Sequence, residues 1–130
     1  MAYQGPQICI PGLTASADLS SKQFYFVKMS GEKTVTVCGG ATDKPIGVLQ
    51  NAPGDGEEAQ VCCIGVTKIS GDADLNYGAL IGTSGDGQAD AKTPGTDTTE
   101  YVVGHVVYGN AAAGGLITAA INCASPARAA

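Results

Sequence analysis

The sequence predicts an all-β fold: a small β-barrel or sandwich of antiparallel hairpins, with an extended N-terminal arm. Three observations carry this. Glycine numbers 19 in 130 residues without a collagen-like period, roughly double its usual ~7% share, as turns, bulges and close backbone approaches require. Short apolar runs recur between clusters of Gly, Asp and Pro, several with period-two alternation. No segment has the spacing of an amphipathic helix, and no repeat period stands out.

Taken in order, residues 1–20 hold Gly5-Pro6 and Pro11-Gly12 beside Tyr3, Ile8, Ile10 and Leu13. Two prolines break any helix and interrupt a core strand, so the segment reads as an arm. The β-barrel-like domain then spans 21–123, and 124–130 is a small-residue tail without periodicity. Residues 24–29 form a strand. After the turn 30–32, residues 33–38 alternate, with Val35 and Val37 on one face and Thr34 and Thr36 on a wet one. Ile46, Val48 and Leu49 follow, bounded by Pro45 and Pro53, which cannot donate to an inner ladder. Across the turn 54–58 the chain returns as 60–69, apolar on both alternating faces: Val61, Cys63 and Ile69 against Cys62, Ile64 and Val66. A strand covered on both faces belongs in the middle, so this hairpin is expected to be the central wall. Short strands at 79–82 and 88–91 flank Asp86-Gly87; residues 92–99 form a polar, mobile loop; 100–108 and 116–123 make the last strand pair, joined by 110–115.

Charged residues are 15% of the chain, against ~25% in an average domain, and the net charge is −5. The seven Lys and Arg are scattered, which argues against a nucleic-acid partner. No apolar run approaches the ~18 residues of a membrane span, and no basic segment opens a signal peptide. The chain is expected to stay in the compartment where it is made, with no membrane partner. Five cysteines at irregular spacing, Cys9, Cys38, Cys62, Cys63 and Cys123, read as small buried hydrophobes in a reducing compartment. No Cys-x-x-Cys pair suggests zinc, so neither metal nor cofactor is expected.

Several local patterns fall short of a site. Asp72-x-Asp74-x-Asn76 opens like a calcium loop, but Tyr77 stands where glycine is needed and Thr83 where a bidentate Glu is needed. Gly82, Gly85 and Gly87 lack phosphate-loop spacing and precede no helix. Lys28 lies inside a strand, without the neighbours of a carrier-domain lysine. His105 is the one histidine, on a strand face with Tyr101, Val103 and Val107, and reads as a packing or rim residue. No Gly-x-Ser-x-Gly elbow accompanies it. No catalytic constellation emerges, and the chain is not expected to be an enzyme.

Residues 19–28 (Leu-Ser-Ser-Lys-Gln-Phe-Tyr-Phe-Val-Lys) resemble the first strand of the small capsid-cement, or head-decoration, proteins of tailed bacteriophages. Asp43-Lys44-Pro45-Ile46-Gly47-Val48-Leu49-Gln50-Asn51 resembles that family's P-I-G-V-L-Q-N strand. Gly65-Val66-Thr67-Lys68, Gly78-Ala79-Leu80-Ile81-Gly82, Tyr101-Val102-Val103-Gly104 and Gly114-Gly115-Leu116-Ile117 follow in the family's order. The resemblance spans about residues 15–123, with cysteines at 62 and 63 where the family has other apolar residues. It implies a β-barrel-like virion protein on the outer surface of the phage head. It would bridge major capsid protein subunits as a trimer or other homo-oligomer, after assembly in the bacterial cytoplasm. Arm contacts do not carry over from the family, whose N-terminus varies; they are read from the residues. Tyr3, Ile8, Ile10 and Leu13 are apolar yet kept out of the barrel by Pro6 and Pro11, and so are the expected partner contacts, on an arm disordered in the free protein and laid along a neighbouring subunit. Two rivals share the composition. A carbohydrate- or ligand-binding module calls for clustered exposed aromatics, whereas aromatics total 5% and Trp is absent; a cysteine hydrolase using His105 calls for a thiol with a depressed pKa.

Overall fold

The computed structural model describes residues 2–109 and 115–129, and its architecture is all-β. The first half holds β1 (Gln7–Ala15), β2 (Phe26–Gly31), β3 (Thr34–Val37), β4 (Gly47–Leu49) and β5 (Glu58–Ser70). The second holds β6 (Leu80–Thr83), β7 (Ala89–Ala91), β8 (Tyr101–Val102), β9 (Gly104–Tyr108), β10 (Leu116–Asn122) and β11 (Ala127–Arg128). Nine of these form one sheet in the order β1-β3-β2-β4-β5-β10-β9-β6-β7, and β1 also pairs with β5. That extra pairing closes β1, β3, β2, β4 and β5 into a ring. Beyond β5 the sheet continues through β10, β9, β6 and β7, and a bridge between Gly71 and Ala89 ties its far end back beside β5. The molecule is thus two small barrels sharing one long strand.

The expected central wall is present. Val48 and Leu49 pair antiparallel with Cys62 and Val61, and Phe26 and Val27 pair with Val48 and Gly47. Side chains alternate across a strand, so successive residues enter different cores. Val27, Leu49 and Val61 join Leu13, Ala15, Leu19, Val35 and Ala59 in the first core. Phe26, Val48 and Cys62 join Ile69, Ile81, Val106, Ile117 and Ile121 in the second. Each large aliphatic side chain buried there contributes about 1.5–3 kcal/mol. Gly47 lets the wall close, because a Cβ at that position would collide with the carbonyl oxygen of Cys62.

The structure corrects the sequence reading in five places. First, the arm is not excluded from the barrel: β1 pairs with β5 from Gln7↔Gly65 to Thr14↔Glu58. Pro6 lies ahead of the strand. Pro11 and Gly12 (φ +77°) fall in a register shift between Ile10 and Leu13, where the ladder needs no N–H from Pro11. Second, β1 also runs parallel to β3 through Thr14↔Thr34 and Ala15↔Val35, so the sheet is mixed and not made of antiparallel hairpins alone.

Third, the central strand is not fully buried. It is buried from Val61 to Cys63 and at Thr67 and Ile69, but Ile64 and Val66 are half-exposed. Between them Gly65 (φ +139°) marks the place where β5 passes from one barrel to the other, and a Cβ there would strike the carbonyl oxygen of Pro6. Fourth, loop 92–99 is anchored. The Lys92 side chain is fully buried and paired with Glu100 and, at 3.7 Å, with Asp90. Thr93 N–H donates to the Asp97 carboxylate at 2.7 Å, and Gly95 N–H donates to the carbonyl of Ala129 at 2.8 Å. Fifth, the tail is structured: β11 pairs with β8, and Ala129 is buried. The connector expected at 110–115 lies outside the described residues except for Gly115.

Candidate partner-binding surface

The four predicted contact residues divide in two. Leu13 is buried in the first core, and half-buried Ile10 packs against both cores. Burial takes Leu13 out of a partner's reach, which corrects its assignment as an arm contact, whereas Ile10 serves the domain's own cores and keeps part of its surface accessible. Tyr3 and Ile8 remain exposed, at 47% and 63%. The backbone under Tyr3 is fixed: its N–H donates to Thr118 Oγ1 at 2.7 Å, and that hydroxyl donates back to the Tyr3 carbonyl at 2.9 Å. Gly5 N–H donates to the carbonyl of Val66 at 3.0 Å. Residues 3–5 therefore lie against β10 and β5 in the isolated chain, contrary to the expected disorder. Ile8 stands opposite Ile64 in the ladder and lines a shallow, mainly apolar depression with Pro6, Gln7 and Gly65.

A second exposed region was not found from sequence. Tyr77, Leu80, Val107, Tyr108 and Leu116 are exposed on or beside β6, β9 and β10. Leu80 faces His105 across the β6–β9 ladder, and Tyr108 faces Thr118 across the β9–β10 ladder. The N-terminal segment and β9 therefore meet at Thr118. In sequence, these strands look like any half-buried pair. A register shift between Thr118 and Ala119 leaves both Val107 and Tyr108 exposed, and no residue type announces it.

The titratable groups contribute structure more visibly than chemistry. Lys28 pairs with Asp43 at 2.9 Å, which also accepts N–H bonds from Gly39 and Gly40. The pairing raises the lysine pKa and, with those N–H groups, lowers that of the carboxylate. Asp72 is pushed up by desolvation and by the nearby charges of Asp86 and Asp90. His105 is exposed on an open depression of about 350 Å3 that Ser125 also lines, with no carboxylate among the lining residues. Cys9 is exposed, while Cys38, Cys62, Cys63 and Cys123 are buried. Burial pushes Cys38 and Cys62 up to about 12 and also raises Cys63 and Cys123, opposite to what a thiol nucleophile needs. Among the described residues no group of His, Cys, Asp and Glu is placed to hold a metal ion.

The fold therefore defines an all-β protein of two fused barrels whose exposed large apolar residues lie on or beside its strands and on its N-terminal segment. No protein-family model matches the chain, and no curated protein matches it in sequence. The fold is shared with the head fiber gp8.5 N base of bacteriophage phi29, known from a crystal structure. The TM-score is 0.65 at 17% identity, over 91% of this chain and 96% of that one. At that identity the likeness is one of fold.

Proposed function

We propose that this chain is a structural protein of a bacteriophage head: a decoration, or cement, protein that sits on the outer capsid surface and bridges major capsid protein subunits. The observation that carries the reading is the near end-to-end fold likeness to a head fiber base, in a chain whose strand motifs independently resemble the capsid-cement family. Low charge and few basic residues suit a protein surface better than nucleic acid as partner. The contact is made through Tyr3 and Ile8, with the exposed side chains of β6, β9 and β10 available to a second subunit or a second copy of this chain.

The test is attachment to heads. Purified protein mixed with undecorated capsids should co-sediment with them and appear as ordered density on their outer surface. Ile8→Asp should weaken attachment at least tenfold while the melting temperature of the free protein stays within a few degrees, because Ile8 is exposed. If the wild-type protein stays in the supernatant with intact capsids of every type tried, the capsid reading is wrong. If Ile8→Asp binds normally, attachment uses another surface.

A further inference from the structure

The β1–β5 ladder carries a chemistry that attachment to a head does not use. Cys9 and Cys62 stand directly opposite one another in it. Opposed Cα atoms in an antiparallel pair are about 4.5–5.5 Å apart, inside the 4.4–6.8 Å that a disulfide spans. Opposed side chains also leave the same face of the sheet. The two thiols lean toward the same end of the ladder. Cys9 Sγ lies 4.0 Å from Oε1 of Gln7, and Cys62 Sγ donates to the carbonyl of Ile64 at 3.6 Å. Gln7 faces Gly65 and Ile8 faces Ile64, so both sulfurs point to that end. Access is one-sided: Cys9 is exposed beside an open depression of about 260 Å3 lined also by Pro11, Gly12 and Gln60, while Cys62 is covered by the second core.

We propose that Cys9 and Cys62 form a redox pair, closing into a cross-strand disulfide when the protein meets a small-molecule disulfide such as oxidised glutathione. The Cys9 thiolate attacks one sulfur of the oxidant, its S–S bond breaks, and one glutathione thiolate leaves. The Cys62 thiolate then attacks Cys9 Sγ and expels the second glutathione. Two electrons and two protons pass from the cysteine pair to glutathione. Burial keeps Cys62 protonated, so the second step waits on a local opening of β1 from β5. The product staples the half of β1 that is paired on one side only, to β5, since β3 pairs with β1 only at Thr14 and Ala15. Ile8 rides on that half, so oxidation stiffens the segment that carries it.

The test uses the full chain, incubated with oxidised glutathione at about pH 8, then alkylated and digested with trypsin. A link between the peptides of residues 1–22 and 34–68 is expected (Lys44-Pro45 resists cleavage) and should disappear with dithiothreitol. Peptide 34–68 holds three cysteines, so variants assign the bond: Cys62→Ser should abolish it, and Cys63→Ser and Cys38→Ser should keep it. The oxidised wild type should melt about 5 °C above the reduced form. Cys9→Ser should show no such difference, and its exposed position keeps this comparison usable even if Cys62→Ser fails to fold. Reaction that stops at a glutathione adduct on Cys9, a link that survives Cys62→Ser, or a disulfide dimer through Cys9 would each overturn the proposal.

Discussion

The two barrels share β5 yet are held together by different means. The first is closed by strand pairing all the way round, and its core is aliphatic: Leu13, Ala15, Leu19, Val27, Val35, Leu49, Ala59 and Val61. The second is larger and contains four buried cysteines; its ring is completed by one isolated bridge, and polar side chains are buried beside it. Thr83, Gln88 and Lys92 are all nearly inaccessible there. Their hydrogen bonds are made, and among the described residues no buried side-chain nitrogen or oxygen lacks a partner. Stability therefore resides in different interactions in the two barrels. Non-directional burial holds the first barrel, and it fails when volume or polarity changes. The second depends in addition on a few directional contacts, which fail singly when one partner is lost.

The largest loss of stability is expected at the shared wall. Val61 is inaccessible, so Val61→Asp places an unpaired carboxylate in the first core and should leave no folded protein by circular dichroism. Val66→Asp, five residues along the same strand but half-exposed, should remain folded. If both variants fold, the wall is not the seat of stability. The next largest effect is expected from removing residues 2–14. The deletion strips β1 and Leu13 from the first barrel, and urea unfolding should show a loss of at least about 4 kcal/mol. An unchanged midpoint would return this segment to the status of a passive arm.

The second barrel is probed by its ion pair. Lys92→Met leaves Glu100, about one-fifth exposed, without its partner and should cost about 2–3 kcal/mol in the same assay. Repeating it with Glu100→Gln and the double variant yields the coupling. A coupling near zero would mean that packing, not charge, holds this end. The smallest effect belongs to Asp72. Its pKa is raised in the folded state, so the folded form holds the proton more tightly than the unfolded chain. The favourable contribution is fully present below the ordinary value of 3.8 and fades as pH rises through that value to the raised one. At neutral pH Asp72→Asn should therefore raise the melting temperature slightly, by no more than about 2 °C. A fall in Tm would mean that the carboxylate is needed as an acceptor.

Much of this was written in the sequence by itself. Composition and alternation determined the all-β class, and the double-sided run at 60–69 determined that a central wall exists, because side chains alternate whatever the rest of the chain does. Val35 buried between half-exposed Thr34 and Thr36 follows from the same periodicity. The tertiary structure alone decided what Pro11 does: a proline excludes a continuous ladder but not a bulged one, and only the partner strand sets where the bulge falls. It also decided that β5 serves two barrels, since the turn of the strand at Gly65 depends on the close approach of Pro6 from far away in sequence. Of the proposed contacts, Tyr3 and Leu13 could not be separated by residue type: apolarity says that a side chain prefers to leave water, and only the fold says whether its own domain or a partner takes it.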